Sequence, residues 1–415
     1  MRISLWFFIG ISCTLADDTI SRVDETKYSI AKEKKYLIYD VNRGEGFNLR
    51  RDVYMRIANS VRTLRESGEN FVLVLPPWGG LFHWDRQKTR VPWGTFFDIK
   101  SLNEFVPVIE FEQFLEENPT RVIDNVIYLQ HYAEGWGTKY ELKFEKRDCM
   151  DGQKYYKYEK DKQKWAGWFF SFPDVLAKNF ECISIQGESR TLTNLIKELY
   201  PNTTSIFVDR GETILHEDYG GVDYWKARRS MRYAENLVNE AAKFRKEYLD
   251  SEDSADRTIL PESWIQESAR RDAIGGPYIC AHWRRRDFVR AHGKNLPSIK
   301  GTSKILNELA KKHKVGKVFL ATDAEPHELE ELKKTMNVET LTYKNLDLSD
   351  GEIAVVDQII CSHARYFTGS HVSTFSYRIQ EDREILGFKP ETTFNRMCGD
   401  KEKDCEQPSK WKITH

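Results

Sequence analysis

Short apolar runs alternate with amphipathic segments over residues 277–386, and this alternation constrains the fold more than any other feature of the sequence. Four runs are predicted as strands, at 277–282, 317–322, 339–343 and 365–369. Segments with helical periodicity follow them, at 298–313, 326–336, 352–364 and 373–386. Four strand–helix repeats predict a doubly wound α/β domain built on a parallel sheet.

A strand–helix–strand unit opens the N-terminal part of the chain. An apolar run at 36–41 is followed by the loop 42–48, a helix from Leu49 and a second run at 71–75. This order requires parallel strands, so the loop is predicted at the carboxyl end of a strand, where open α/β sheets bind ligands. Further strands are predicted at 122–129 and 205–209, and a long amphipathic helix at 224–248.

The polar, acidic stretch 251–272 is predicted to contain the boundary between two domains, residues 17–265 and residues 266–415. The length of the chain supports two domains, since about 150 residues per domain is usual. Two doubly wound domains that face each other leave a cleft between them, which is a common place for a ligand site.

Residues 1–16 are predicted to be a secretory signal peptide. Arg2 precedes a short apolar run, and the small residues Thr14 and Ala16 fit a cleavage site. A short signal anchor that stays attached is the alternative. No later stretch reaches about 18 uncharged apolar residues, so no membrane span is predicted in the mature chain.

Six cysteines remain after Cys13 leaves with the signal, and disulfides are expected in an oxidising compartment. Cys398 with Cys405, and Cys149 with Cys182, are predicted to pair. Cys280 and Cys361 lie in apolar runs and are predicted to be buried thiols. Asn202 begins an Asn-Thr-Thr sequon in a predicted surface loop, and it is a candidate glycosylation site.

Charge balance and missing motifs exclude several classes of protein. The chain has 63 Lys and Arg against 64 Asp and Glu, which disfavours a nucleic-acid-binding surface. Gly44 and Gly46 follow a strand, but Leu49 stands where a dinucleotide fingerprint needs a third glycine. No Walker A sequence and no D-x-D triplet occurs. A bound nucleotide diphosphate is therefore expected to be neutralised by side chains and helix ends, with no metal site.

Two segments carry the chemistry of an anion site. The cluster from His282 to Phe288 follows a strand, and its arginines suit a diphosphate because a guanidinium makes two parallel charge-assisted bonds. Successive residues of an extended segment point to opposite faces, so Arg285 is expected to face away from Arg284. Ser373 and Thr374 begin a predicted helix, whose N-terminus favours an anion.

These segments and the loop after the first strand together resemble the protein O-fucosyltransferase family. The likeness rests on the H-x-R-R-x-D-F pattern of 282–288, the S-T-F-S segment of 373–376, and residues 45–50. It implies a GT-B-like fold, with two Rossmann-like doubly wound domains facing a central cleft. It also implies GDP-fucose as donor, inversion at the anomeric carbon, and no required cofactor. The closer likeness is to members that modify thrombospondin type 1 repeats.

The resemblance also implies roles for single residues. Glu45 matches the family's catalytic base, on the acceptor side of the cleft formed by 17–265. Arg284 and Thr374 match positions that meet the diphosphate, and Asp357 and Phe375 match positions that hold the guanosine, within 266–415. The predicted GDP-fucose-binding residues are Gly44, Glu45, Gly46, Phe47, Asn48, His282, Trp283, Arg284, Asp357, Ser373, Thr374 and Phe375.

Two other functions stay open at this stage. One is fucosyl transfer to epidermal growth factor-like repeats, and the other is a non-catalytic folding factor that binds such disulfide-bonded repeats. The aromatic-rich loop 78–97 is expected to contact the folded acceptor. The endoplasmic reticulum lumen is the expected compartment, although residues 412–415 are not a retrieval tetrapeptide.

Overall fold

The computed structural model describes residues 27–28, 34–81, 84, 90–137, 139–402 and 404–415. The predicted signal peptide, with Cys13, lies outside the described residues. The strands are β1 Lys35–Tyr39, β2 Phe71–Leu75, β3 Val108–Glu110, β4 Val122–Gln130, β5 Lys143–Lys146, β6 Lys157–Glu159, β7 Lys164–Ala166, β8 Leu176–Gln186, β9 Ser205–Asp209, β10 Gly276–Trp283, β11 Lys317–Thr322, β12 Glu339–Leu341, β13 Ala364–Gly369 and β14 Asn395–Arg396. The helices are α1 Phe47–Glu66, α2 Ile99–Asn103, α3 Phe111–Glu117, α4 Ser189–Leu199, α5 Val222–Ser230, α6 Glu235–Leu249, α7 Asp253–Asp256, α8 Arg286–His292, α9 Ile299–His313, α10 Pro326–Thr335, α11 Asp350–Ser362, α12 Thr374–Ile385 and α13 Pro390–Thr393.

The first sheet has the strand order β3-β2-β1-β9-β4-β8-β7-β6, and β5 also pairs with β8. Strands β1 and β2 are parallel, with Leu37 opposite Leu73, so the predicted strand–helix–strand unit is present. Strand order reverses between β1 and β9, which opens a crevice at the carboxyl end of β1. The charged segment 139–165 adds the antiparallel strands β5, β6 and β7 to this sheet.

The second sheet is parallel throughout and has the order β12-β11-β10-β13-β14. Counted from β10, this is the order 3-2-1-4-5 of a Rossmann-type sheet, as the strand–helix alternation predicts. The order reverses between β10 and β13. The loops that follow these two strands therefore lie at the point where such sheets bind ligands.

Helix α1 shows how the apolar pattern fixes packing. Val53, Ile57, Val61 and Leu64 are fully buried against the first sheet, as their helical spacing requires. Leu49 belongs to the same stripe but is only half-buried, because the first turn of α1 borders an open cleft.

The predicted helix 224–248 is instead two helices, α5 and α6, with a break at residues 231–234. The backbone N–H of Ala234 donates to the carbonyl of Phe96, and this contact with another loop replaces helical hydrogen bonding. Helix α6 then packs against α11 and β10 of the second sheet. The chain thus reaches the second sheet before residue 251, and the domain boundary at 265/266 stays a prediction. No helix in the described part of the chain is long and apolar enough to cross a membrane.

Three disulfides are present among the described residues. Cys149–Cys182 and Cys398–Cys405 are the two predicted pairs. The expectation of free thiols at Cys280 and Cys361 is wrong, because these residues form a third disulfide. Cys280 lies in β10 and Cys361 in α11, and the packing of that helix on the sheet brings two fully buried residues together. Apolar surroundings alone do not distinguish a buried thiol from a buried disulfide.

Removal of the Cys280–Cys361 disulfide is expected to destabilise the protein strongly. The bond spans 81 residues, and loop-closure entropy alone corresponds to about 4.5 kcal/mol, against about 2.4 kcal/mol for the seven-residue span of Cys398–Cys405. Denaturant unfolding of the two double alanine variants checks this order. Equal losses of unfolding free energy would contradict it.

Candidate active site

A cleft of about 670 Å³ lies between the two sheets, at the carboxyl ends of β1, β10 and β13. Its volume is typical of a small-molecule site. All predicted GDP-fucose-binding residues except Trp283 line it, namely Gly44, Glu45, Gly46, Phe47, Asn48, His282, Arg284, Asp357, Ser373, Thr374 and Phe375. Segments more than 300 residues apart in the sequence thus meet at one place.

Trp283 does not line this cleft, contrary to expectation. Its side chain is 1% exposed and packs in the core beneath α9, with Leu306 and Ala310. Successive residues of a strand point to opposite faces, so His282 and Trp283 cannot both face the cleft. A position inside the 282–288 motif therefore does not by itself place a side chain in the cleft.

Glu45 lies in the loop between β1 and α1. Its backbone N–H donates to the carbonyl of Asn42 at 2.9 Å, which closes a tight turn. Its carbonyl accepts from Nε of Arg50 at 3.1 Å, so α1 also holds the loop. Within the described part of the chain no group donates a hydrogen bond to its carboxylate, which lines the cleft half-buried. The backbone of the loop is thus fixed, while the carboxylate oxygens can accept hydrogen bonds from a ligand.

Acidic side chains surround the arginine cluster, which the sequence does not reveal. Arg284 pairs with Asp323 at 2.5 Å and with Asp287 at 2.7 Å. Arg285 pairs with Glu328 at 2.6 Å, on the side away from the cleft, as the strand alternation predicts. The positive charges of Arg284 and Arg285 are therefore largely offset by acids that follow β11, and Arg284 is held in place by two carboxylates.

His282 forms one wall of the cleft. Its Nδ1 lies 2.9 Å from Oγ of Ser376, and its ring stacks on Phe375 with centroids 4.4 Å apart. Burial, and to a lesser extent the charge of Arg284, lowers the pKa of His282 to about 3. The imidazole is therefore neutral at physiological pH, and it serves as a packing and hydrogen-bonding group.

The buried neutral His282 is expected to make the protein less stable as pH falls. Its folded pKa is below the unfolded value of 6.5, so unfolding takes up a proton and stability is lost as pH decreases from about 6.5 towards 3. The slope is at most about 1.4 kcal/mol per pH unit. Denaturant unfolding of wild type and His282→Gln across this range measures it. The pKa of His363 is also lowered, and this residue is present in both proteins. Parallel profiles of unfolding free energy against pH would therefore contradict the assignment of the pH dependence to His282.

Asp357, on α11, presents an unsatisfied polar group to the cleft. Its Oδ1 is buried and accepts no hydrogen bond from the described residues. Burial raises the pKa of its carboxyl well above the usual value. A buried polar atom without a partner costs free energy, so this carboxyl is suited to a ligand that brings its own N–H donors.

The N-terminus of α12 points into the same cleft. Ser373 is the N-cap, its side chain makes no capping bond, and no acidic residue stands in the first turn. Val372 precedes it with φ of 39°, an unfavourable value for a β-branched residue. Such strain is typical of ligand-binding loops. The backbone N–H groups of the first turn and the hydroxyls of Ser373 and Thr374 are therefore available to an anionic ligand.

The floor of the cleft joins the two sheets through polar contacts. Oδ1 of Asn48 accepts from Nε2 of Gln358 at 2.9 Å, and Arg51 donates to Oε1 of Gln358 at 2.7 Å. Arg228 of α5 pairs with Glu381 of α12 at 2.6 Å, both fully buried. These contacts hold α1 and α5 against α11 and α12, and so fix the width of the cleft.

Most aromatic side chains that the structure describes in the loop 78–97 belong to the core, and the contact of this loop with the acceptor stays a prediction. Trp78, Trp93, Phe96 and Phe97 are at most 2% exposed. The first and the last two pack around Phe47 of α1, and Trp93 packs on Trp78 and Phe97. Phe82 lies outside the described residues. Leu81 and Trp84 of this loop line the cleft, although they were not among the predicted GDP-fucose-binding residues.

Asp323 is the most important cleft residue that the sequence reasoning missed. It follows β11 directly, and the rule that ligands bind at the carboxyl ends of parallel strands could have found it. Among the described residues, no three His, Cys, Asp or Glu side chains are grouped to hold a metal ion. The expectation that no metal is required stays a prediction.

Comparison with known proteins identifies the family. A sequence profile described as GDP-fucose protein O-fucosyltransferase (O-FucT) matches residues 36–386. The chain is 59% identical over 404 residues to GDP-fucose protein O-fucosyltransferase 2 of Caenorhabditis elegans, covering 96% of this chain and 95% of the relative. It is 47% identical over 398 residues to the Homo sapiens protein of the same name, covering 93% of this chain and 91% of the relative.

Solved structures share the fold. The crystal structure of POFUT1 in complex with GDP-fucose has a TM-score of 0.57 and 14% identity, with 88% of this chain and 98% of that chain covered. The complex of POFUT1 with GDP has a TM-score of 0.56 and 15% identity, with 88% and 99% covered. These structures confirm the predicted GT-B-like fold. With the profile and the two relatives covering nearly all of the chain, it belongs to the GDP-fucose protein O-fucosyltransferase family, and is a glycosyltransferase.

Proposed function

We propose that the protein transfers fucose from GDP-fucose to Ser or Thr hydroxyls of folded thrombospondin type 1 repeats, with inversion at the anomeric carbon. One observation carries this proposal. Glu45 from the first sheet lines the same cleft as Arg284 and the N-terminus of α12 from the second sheet. A base and an anion site on opposite walls are what an inverting transfer from a nucleotide sugar needs.

The second sheet supplies the donor site in this proposal. Asp357 accepts hydrogen bonds from the N–H groups of the guanine, which satisfies its buried Oδ1. The stacked rings of His282 and Phe375 form an apolar wall for the nucleoside. Arg284 and the first turn of α12 take the diphosphate, where charge-assisted bonds and the helix dipole stabilise negative charge.

The chemistry is a single displacement. The acceptor oxygen forms a bond to the anomeric carbon of fucose on the face opposite to GDP, the acceptor proton passes to Glu45, and the bond to the β-phosphate oxygen breaks. Glu45 raises the nucleophilicity of a hydroxyl that is otherwise a weak nucleophile, an effect of roughly a hundred- to ten-thousandfold. Arg284 stabilises the charge that develops on the leaving diphosphate, in a geometry that Asp323 and Asp287 fix beforehand.

The likeness to relatives named O-fucosyltransferase 2 favours thrombospondin type 1 repeats as acceptors. The test is incubation of the purified protein with GDP-fucose and either folded thrombospondin type 1 repeats or folded epidermal growth factor-like repeats, followed by mass spectrometry. Addition of one fucosyl group to the thrombospondin repeat alone supports the proposal. Modification of the epidermal growth factor-like repeat would show that this repeat is the acceptor. Binding of a repeat without transfer would favour a folding factor.

We place the protein in the lumen of the endoplasmic reticulum. The three disulfides need an oxidising compartment, and Asn202 is exposed in the turn before β9, where a glycan can be attached. N-terminal sequencing of the secreted protein and glycosidase sensitivity test the proposed cleavage after residue 16 and the glycan at Asn202. A glycan-free protein that begins at Met1 would overturn this placement.

A further inference from the structure

A second cavity of about 260 Å³ opens at the carboxyl edge of the first sheet. Its polar lining comes from Asp40, Arg43, Arg50, Arg90 and Ser171, and Trp168 forms an aromatic wall. None of these residues lines the GDP-fucose cleft. The cavity is therefore separate from the site described above and has no assigned ligand.

The same two loops line both cavities and stand between them. In the loop after β1, Arg43 lines the second cavity, while Gly44 and Glu45 line the GDP-fucose cleft. In the loop after β2, Gly80 lines the second cavity and Leu81 lines the cleft. The candidate base Glu45 thus lies in the wall between the donor cleft and the second cavity. A polypeptide whose hydroxyl reaches Glu45 has its neighbouring side chains within reach of Arg43.

A strained segment holds the aromatic wall in place. Phe169, Phe170 and Ser171 have φ values of 33°, 56° and 65°, which non-glycine residues adopt at a cost. Strain of this kind persists where the surrounding structure imposes it, and it is concentrated at ligand-binding segments. Phe169 and Phe170 are buried, whereas Trp168 stays 44% exposed beside the cavity. The core contacts of the two phenylalanines fix the segment that carries this exposed ring.

The charges of the cavity favour an anion. The guanidinium of Arg43 stacks on Trp168, with its Cζ 3.8 Å from the ring centroid, and no carboxylate pairs with it among the described residues. Nη1 of Arg50 lies 3.6 Å from Oδ1 of Asp40, so the charges of these two side chains offset each other. Arg90 lies over Phe172 and donates to the carbonyl of Ser171, without an ion pair in the described part of the chain. Arg43 and Arg90 are thus both oriented by rings. In the described part of the chain Arg43 pairs with no acid, whereas the charge of Arg90 acts on the carboxyl of Glu112.

We propose that this cavity is an acceptor subsite that binds an acidic side chain of the folded repeat, close in space to the acceptor hydroxyl. The inference rests on the proposed function, because it takes the ligand of this cavity to be a side chain of the acceptor repeat. Arg43 makes a charge-assisted bond to the carboxylate, and the Trp168 ring holds the guanidinium in the binding orientation. The subsite selects acceptors by charge, whereas Glu45 acts on the hydroxyl.

Charge reversal at Arg43 tests the subsite. Arg43→Glu is expected to raise KM for the folded repeat at least about tenfold, with kcat within about threefold. Arg43→Gln is expected to give a smaller increase, because it removes attraction without adding repulsion. Trp168→Ala is expected to raise KM a few-fold. Calorimetry should show unchanged GDP affinity in all three variants. Arg121→Glu is the matched control, since this arginine directly precedes β4 and so lies at the amino ends of the parallel strands, away from the cavity.

Reciprocal exchange in the acceptor identifies the partner. Each acidic residue of the repeat is replaced by lysine in turn, and one such variant is expected to lose activity with wild-type enzyme and regain it with Arg43→Glu. The subsite would be overturned by an unchanged KM of Arg43→Glu for the repeat, or by equal increases of KM in Arg43→Gln and Arg43→Glu. A loss of GDP affinity in these variants would also overturn it. Binding of the repeat without GDP-fucose, measured by calorimetry, separates the two proposals. Binding that depends on Arg43 without any transfer would overturn the transfer function and leave the subsite supported.

Discussion

Replacement of Glu45 by glutamine is expected to lower kcat for fucosyl transfer roughly a thousandfold and to leave GDP affinity within about twofold. The amide keeps the shape of the side chain but cannot accept the acceptor proton. The loop itself is held by backbone contacts to Asn42 and Arg50, which this substitution does not touch. The loss should therefore appear in the chemical step, with donor binding intact.

Transfer kinetics with a folded repeat and calorimetry with GDP together measure this result. Glu66→Gln is the matched control, because Glu66 ends the same helix α1 and forms a surface pair with Arg62. The control should retain wild-type turnover. Full turnover by the Glu45→Gln variant would show that another group takes the proton, and a large loss of GDP affinity would show that Glu45 belongs to the donor site.

Replacement of Arg284 by alanine is expected to weaken GDP binding about a hundredfold and to lower kcat/KM by at least the same factor. Two effects of this substitution both weaken GDP binding. The variant lacks the guanidinium that meets the diphosphate, and it leaves Asp323 and Asp287 without their counterion beside the same anion. A second variant, Arg284→Ala with Asp323→Asn, should recover part of the GDP affinity, because one of these carboxylates is then neutral.

Arg285→Ala is the control for this prediction. Arg285 is the next residue in the chain, but its guanidinium pairs with Glu328 and stacks on Trp283, away from the cleft. Its loss should lower stability and leave GDP affinity within about twofold. Equal effects of the two alanine variants on GDP affinity would show that the alternation of side chains does not decide which arginine meets the diphosphate.

Periodicity was sufficient for most of the fold. The predicted strands at 71–75, 205–209 and 317–322 have the bounds that the structure shows, because each has an apolar centre with polar residues or proline at its limits. The irregular middle was less predictable. Strand β8 was missed, since its first half contains the exposed polar pair Lys178 and Asn179 and has no strand periodicity, so that it resembles loop sequence. The break between α5 and α6 depends on a contact with Phe96, which no local pattern contains.

The cleft was predictable where chemistry follows a strand. Glu45, His282 and Ser373 each follow or end a predicted strand, and parallel strands bring their carboxyl ends to one edge. Asp357 came only from family resemblance, because it lies in mid-helix, where nothing in its neighbourhood marks it as part of a site. Its unsatisfied Oδ1 becomes visible only when α11 packs beside the cleft.

The sequence by itself determined the alternation of strands and helices in the second sheet and the loops that face the cleft, because apolar periodicity and strand alternation are local properties. The tertiary structure decided which charges remain to act on a ligand. The arginines of 282–294 meet Asp323 and Glu328, which are some 40 residues further along the chain and become neighbours only through the pairing of β10 with β11. Among the residues that the structure describes, Arg43 has an aromatic partner and no acidic one for the same reason, since electrostatic balance depends on distances in space.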